Sequence, residues 1–367
     1  MPRMRSLSTR FVASLLAALL VLPALAACNT GQSSGAPASQ GENTEPNTPA
    51  PTERTITDQA GRTVTLPAEV NRVITTWRPG TLLIMAAGGK SKLVATDGPS
   101  QQSEFLVQVF PEITSLPKVG SKKGGLNVEA IVAAKPDVVF VWSGSDVEPV
   151  IQQLESQQIP VVVLVPETLE QMEEAVMLAG KVMGTEEQAQ QMISYYDEKL
   201  NMLSDKLGTI PADERSRVYM VGAYGVYSTA SGDLYQNFLI EQAGGVNVAS
   251  ELKGGWAEVS AEQLVQWNPD VIVAVQYCGE NCDPASIKSN PQLQTIKAVQ
   301  NDKVYMFPSA MDPWDYPEPR SILGMLWLAK ILYPDKMADL DLIQEVDNFH
   351  KTFFGKTFTE LGGTLDE

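Results

Sequence analysis

Residues 126–142 read LNVEAIVAAKPDVVFVW, and residues 259–275 read VSAEQLVQWNPDVIVAV. Laid over one another without a gap, they match at Glu129 and Glu262, Ile131 and Leu264, Val132 and Val265, Pro136 and Pro269, Asp137 and Asp270, and Val138 and Val271. Each begins with a polar residue suited to a helix N-cap, Asn127 or Ser260. A short amphipathic helix follows, then a Pro-Asp turn that stops it, then an apolar β-branched run that reads as a buried strand. This helix-to-strand unit belongs to a parallel sheet, and its double use predicts two α/β lobes.

Outward from the repeat, the chain has 367 residues and an apolar fraction of 44%, enough for two lobes of ordinary size. The first residues differ in kind. Arg3, Arg5 and Arg10 precede an apolar run from Phe11 to Leu22, which leads into Leu25-Ala26-Ala27-Cys28. We read 1–27 as a secretory leader whose ending resembles a bacterial lipobox, with Cys28 as the lipidated residue. An uncleaved span is the poorer fit, since the stretch to Ala27 is short and contains Pro23. Residues 28–54 are rich in Ser, Gly, Pro, Asn, Thr and Gln and carry too little apolar surface for a core. As a random coil, such a tether reaches about 30 Å.

The formal charge is −17, and removing the three leader arginines leaves 24 basic against 44 acidic residues, or −20. So acidic a chain is a poor partner for nucleic acid. Three cysteines are present. Beyond Cys28, the pair Cys278 and Cys282 lies in a sequence read as exported, where a local disulfide is expected; a free thiol pair or a metal site is the alternative. Zinc would need two further ligands, and the sequence holds one His.

In chain order, residues 55–66 alternate as a hairpin with its turn at Gln59 to Gly61. A strand at 72–76 runs into Trp77-Arg78-Pro79-Gly80, the start of a helix, which makes a pocket of free backbone donors. A second strand, 92–96, delivers Asp97 to the same edge. The first lobe is drawn at 55–167, linking helices at 168–210 with one break at Gly184 and a capping box at Thr185 and Gln188, and the second lobe at 211–367. A 22-residue helix in the linker spans about 33 Å and is read as a spine between lobes. The second lobe is expected to contain a strand at 217–222, a helix at 234–243, the repeat, one helix from 285 to 299, a strand at 303–307, and helices at 320–332 and 341–354. Ligands of open parallel sheets bind beyond the carboxyl ends of the strands. That rule gathers Trp77, Arg78, Asp97 and Trp142 on one lobe, and Tyr224, Tyr227, Trp256, Tyr277, Trp314 and Asp315 on the other. Trp267 and Trp327 fall inside helices and read as packing.

Catalytic patterns are missing: there is no Gly-x-Ser-x-Gly, no phosphate loop, no dinucleotide fingerprint, and His350 lies in the closing amphipathic helix. An exported α/β protein with aromatic loops therefore points to binding. The lipobox, the initial hairpin, the paired Glu-bearing Pro-Asp units, the long helix between them and the run AVQNDKVYMFP at 298–308 together resemble the substrate-binding proteins of ABC importers for iron-siderophores, haem and cobalamin. The resemblance covers about residues 55–354. It implies two Rossmann-like lobes joined by one long α-helix, a ligand cleft between the lobes with limited closure, no cofactor, and a monomer that serves an ABC permease and ATPase. It also implies that Glu129 and Glu262 dock to the permease, although the helix dipole alone favours a first-turn Glu by about 0.3–1 kcal/mol. By the same resemblance Trp142 and Trp256 line the cleft, and the loop carrying Trp314, Asp315 and Arg320 contributes to it.

For the ligand, convergence of Arg78, Lys122, Lys123 and Arg320 favours an anionic iron(III) chelate. Cobalamin, haem ligated by Tyr224, Tyr227 or Tyr277, and a metal oxyanion are the alternatives within the same role. A surface-anchored hydrolytic enzyme built on Asp97, Asp312 and Asp315 is the alternative from another class, and an adhesive or sensory lipoprotein is a third.

Overall fold

The chain is described by a computed structural model that covers residues 52–121, 124–143, 147–308, 311 and 313–365. The leader, the tether as far as residue 51 with Cys28, and Lys122, Lys123 and Asp312 lie outside the described residues, while Glu53 and Arg54, drawn within the tether, belong to the first strand. The body from 51 onward forms one compact unit.

It opens on the antiparallel hairpin β1 (Glu53–Thr57) and β2 (Thr63–Pro67). The first sheet follows: β3 (Val73–Thr75), helix α1 (Arg78–Ile84), β4 (Leu93–Ala95), α2 (Gly98–Gln102) and α3 (Glu104–Val109). After a small hairpin, β5 (Gly120–Ser121) and β6 (Gly125–Leu126), come α4 (Val128–Ala133), β7 (Val138–Trp142), α5 (Glu148–Ser156) and β8 (Val161–Leu164). The parallel order is β4-β3-β7-β8. The hairpin turn covers the β8 edge. Val163 donates its backbone N–H to the buried Asp58 carboxylate at 3.1 Å, and Val165 donates to Gln59 Oε1 at 2.8 Å. Two outward donors at this edge are thus satisfied.

Two linking helices follow, α6 (Leu169–Met183) and α7 (Glu186–Leu207), separated by Gly184 in the left-handed region at φ 69°. The capping box is at Thr168 and Gln171 and not at Thr185 and Gln188. Thr185 instead donates its hydroxyl to Ala87 O at 2.6 Å, tying the start of α7 to the first lobe. Farther along, Tyr196 Oη donates to Pro319 O at 2.8 Å, and Lys199 pairs with Glu345 at 3.0 Å, so the same helix is also fastened to the second lobe.

The second sheet contains β9 (Arg217–Gly222), β10 (Gly225–Ala230), α8 (Tyr235–Gln242), β11 (Val246–Asn247), β12 (Trp256–Glu258), α9 (Ala261–Trp267) and β13 (Val271–Ala274). Its main order is β12-β10-β9-β13-β14, with β14 at Val304–Met306 and β11 beside β9. The single helix expected over 285–299 is two pieces, α10 (Pro284–Ser289) and α11 (Lys297–Gln300). Pro291 explains the break, because it forces Asn290 out of the helical region, to ψ 117°. Helices α12 (Ser321–Leu332) and α13 (Leu342–Phe354) close the body.

Strand β7 shows how the pattern becomes packing. Val138 and Phe140 join a core that runs from the first lobe through α6 and α7 into the second, whereas Val139 and Val141 face Ile131, Ile151 and Leu154 on the far side. A core shared between lobes resists wide opening. The second tie is α13: Phe354 and His350 meet Phe105 of α3 edge-on, at centroid distances of 5.0 and 5.5 Å.

Candidate functional site

Both copies of the repeat fold as the sequence indicates. Asn127 accepts the N–H of Ala130 at 3.0 Å, and Ser260 accepts that of Gln263 at 3.1 Å, so each caps its helix. At the turns, Asp137 Oδ2 accepts N–H groups from Asn71 and Arg72, while Asp270 Oδ2 accepts one from Arg217. Two arginines that sequence reading passed over complete the joint. Arg72 Nε donates to Lys135 O at 2.7 Å, and Arg217 Nη2 donates to Trp267 O at 3.0 Å, each hooking the last carbonyls of the neighbouring helix. Glu129 and Glu262 are exposed in the first turns of α4 and α9. The Glu262 carboxyl is lowered by backbone donors at the helix start and by Ser260.

Beyond the carboxyl ends of β3 and β7 stand Trp77, Arg78 and Trp142. The two indoles meet edge-on with centroids 3.8 Å apart, and Trp142 Nε1 donates to Glu167 at 2.9 Å. Trp77 and Arg78 are partly exposed, whereas Trp142, expected to line the cleft, is buried behind Trp77 and bonded to Glu167, so Trp77 is the more accessible face of the pair. Asp97, two residues past β4 and just before α2, is fully buried; Ser100 donates to its Oδ1, and its Oδ2 has no hydrogen-bond partner.

In the second lobe, Trp256 on β12 approaches Tyr277 edge-on at 6.3 Å, and Tyr277 stacks on Tyr316 at 5.2 Å with planes 14° apart. Gly222 at the end of β9 makes room for this wall, since a Cβ there would lie 2.1 Å from the Trp256 ring. Neither Gly222 nor Tyr316 was singled out from sequence; a Gly ending a strand before an aromatic loop was the available signal. Tyr277 Oη donates to Asp315, which also accepts from Gln236 Nε2 at 3.2 Å. Cys278 and Cys282, next to Tyr277, are joined in a disulfide with Cα atoms 6.2 Å apart.

The charges here are coupled. Burial raises Asp315 to about 6 against the opposing hydrogen bonds from Tyr277 and Gln236. Burial and Asp315 push the Tyr277 phenol far up, so its hydroxyl stays protonated. Burial also raises Tyr316, Asp315 adds to the rise, and Arg78 of the other lobe opposes it. The Arg78 field therefore reaches Asp97 on its own side and Tyr316 across the cleft.

Other residues fall differently. Trp314 is only 1% exposed and packs on Phe358 and His350, with centroids at 5.4 and 6.1 Å. Arg320 is fully buried; its Nε donates to Glu318 at 3.0 Å, its Nη1 donates to Met311 O at 3.0 Å, and it lies over the Phe105 ring at 4.4 Å. Both were expected at the cleft surface. They are interior because His350 of α13 and Phe358 beyond it pack against Trp314, and the buried guanidinium is paired with the Glu318 carboxylate. Their place is in holding the loop from beneath. Tyr227 Oη donates to Gln292 at 2.8 Å and accepts from Asn290 at 3.3 Å, whereas Tyr224 is 75% exposed. His350 is buried and neutral, pushed down to about 3 chiefly by burial. Among the described residues no group of three or more His, Cys, Asp or Glu is arranged to hold a metal ion.

The chain is similar to proteins of known type. The family model described as periplasmic binding protein matches residues 73–311. The molybdate-binding protein MolA of Haemophilus influenzae is 29% identical over 333 residues, covering 83% of this chain and 92% of that one. The vitamin B12-binding protein of Yersinia pestis is 28% identical over 211 residues, 57% of this chain and 71% of the relative. Among solved structures, a periplasmic solute-binding protein from Veillonella parvula superposes with a TM-score of 0.74 at 26% identity, over 83% of this chain and 94% of that one. Molybdate-bound MolA superposes at 0.72 with 27% identity, over 83% and 98%.

Proposed function

The chain belongs to the periplasmic binding protein family, the solute receptors of ABC importers, and from that premise we propose that it captures a compact anionic metal species outside the cytoplasm. It hands that ligand, unchanged, to a permease and ATPase. The observation that carries the ligand class is Arg78: a fixed positive charge in the first turn of α1, next to the partly exposed Trp77, and one that also acts on Tyr316 of the opposite lobe. A metal oxyanion of the molybdate type fits this first, and the likeness to MolA along most of both chains supports it.

An anionic iron(III) chelate is the second reading, favoured by the aromatic walls of Trp77, Trp256, Tyr277 and Tyr316. Haem held by Tyr277 fits poorly, because iron ligation needs a phenolate and that hydroxyl is committed to Asp315. Docking through Glu129 and Glu262 and anchoring through a lipid on Cys28 are part of the same proposal, and a monomer suffices for it. Titration of tryptophan fluorescence with molybdate, sulfate, a ferric siderophore, haemin and cobalamin tests the ligand class. Saturable quenching by molybdate or the ferric chelate is expected; quenching by cobalamin alone would overturn the anion reading.

A further inference from the structure

Resting on the anion reading above, we propose that Asp315 is a positioning residue for ligand capture: from behind the aromatic wall of the second lobe it holds Tyr277 as a fixed, protonated face and keeps that phenol out of metal coordination. Asp315 lies in the loop between β14 and α12 and is only 1% exposed, so it does not itself meet a ligand. Its Oδ2 accepts the hydroxyl of Tyr277, which follows β13, and the amide of Gln236 on α8 at 3.2 Å. Three separate elements thus converge on one buried oxygen.

A carboxylate in such a place needs a reason. Burial opposes its charge, the bonds from Tyr277, Gln236 and its own backbone favour it, and none of the influences on it is a basic side chain. A charge buried without an ion pair is costly, and what it supplies here is direction: an ionised oxygen is a strong acceptor, and it aims the phenol. The carboxyl titrates at about 6 and the Tyr277 phenol far above its usual range, so at neutral pH the proton stays on Tyr277. Coordination to iron would need the phenolate, so the same bond withholds Tyr277 from a bound metal. The cleft then takes its metal species whole, by shape and charge.

The support behind the wall is continuous. Tyr235, the residue before Gln236 on α8, has its hydroxyl 2.6 Å from Ser321 Oγ, and Ser321 Oγ lies 3.2 Å from Tyr196 Oη on α7. Helix α8 is therefore fixed to the linking helix as well as to Asp315. In front, Tyr277 stacks on Tyr316 and meets the edge of Trp256, whose ring occupies the space left free at Gly222. Released from Asp315, the Tyr277 ring is free to turn about its side-chain bonds, and the Tyr316 and Trp256 faces lose their common partner.

The test is a double-mutant cycle on the full-length protein, in which Tyr277→Phe, Asp315→Ala and their combination are titrated with molybdate and with a ferric siderophore. Each single variant should weaken binding roughly tenfold, the worth of one well-placed hydrogen bond. The double variant should lose no more than either single one, because both remove the same bond. Asp315→Asn, which keeps an acceptor oxygen, should recover most of the affinity; if Asp315→Ala does not fold, Asp315→Leu takes its place in the cycle. An additive loss of roughly a hundredfold in the double variant overturns the proposal, as does an Asp315→Asn no better than Asp315→Ala. With ferric nitrilotriacetate, wild type should show no visible phenolate-to-iron band, and a band that Tyr277→Phe abolishes would equally overturn it. The Raman doublet of tyrosine, taken as the difference between ligand-free wild type and Tyr277→Phe, should be that of a strong hydrogen-bond donor. If it is, while neither ligand binds wild type, the anion reading falls and this inference with it; if both bind and the cycle shows no coupling, this inference falls alone.

Discussion

The helix-strand unit at 126–142 and its counterpart at 259–275 are built alike up to the end of their strands and differ after it. Both have a side-chain N-cap, an exposed first-turn Glu, an Asp that binds the start of the neighbouring strand, and an Arg that hooks the helix end. Both turn through a left-handed residue before the Pro, Lys135 at φ 48° and Asn268 at φ 45°. Past the turn, β7 ends on Trp142, which packs directly against Trp77, whereas β13 ends on small residues and leads to Tyr277 beside a disulfide. A duplicated frame carries the fold and the two exposed Glu residues proposed to meet the permease; the unequal strand-end loops carry the residues proposed for recognition.

That comparison yields a graded series of tests. The largest effect is expected from Glu129→Ala combined with Glu262→Ala, which should abolish uptake in a reconstituted importer while leaving ligand affinity unchanged. Each single variant should retain part of the transport. Unchanged uptake in the double variant would remove the docking half of the comparison.

Next is acid stability at the seam between lobes. His350 is neutral in the fold with its pKa lowered to about 3, below its ordinary value of 6.5, so the unfolded chain binds the extra proton. Stability should be present above about pH 6.5 and fall as pH drops toward 3, by on the order of 4 kcal/mol. Urea melts of wild type and His350→Gln as a function of pH should show a shallower slope in the variant.

The two turn aspartates should then differ. Asp137→Ala strands two backbone donors, and Asp270→Ala strands one. Costs of about 2–3 and about 1–2 kcal/mol are expected in denaturant melts. Equal costs would mean that the extra bond in the first unit contributes nothing. Smallest is Lys135→Asn, which puts the second unit's residue into the first and should gain about 0.5–1 kcal/mol by relieving the left-handed Lys.

The repeat, the hairpin with its turn and the break at Gly184 were legible because each is local: a cap, a turn or a period within a few residues. The arginine hooks were not, since Arg72 and Arg217 lie some 63 and 50 residues from the carbonyls they hold. For the same reason Trp314 and Arg320 were misplaced at the surface. Their burial depends on α13 and Phe358 arriving from the far end of the chain, and strand-end position alone carries no record of that. The helix expected through Asn290-Pro291 was a local sign overlooked, and the capping box at Thr185 gave way to a tertiary bond with Ala87.

The most direct test of the account is the position of molybdenum, located by its anomalous scattering in crystals of the full-length protein grown with molybdate. The account predicts one peak between the first turn of α1 at Arg78 and the Tyr277–Tyr316 stack. A peak elsewhere, or crystals that bind the iron chelate there and exclude molybdate, would contradict the oxyanion assignment.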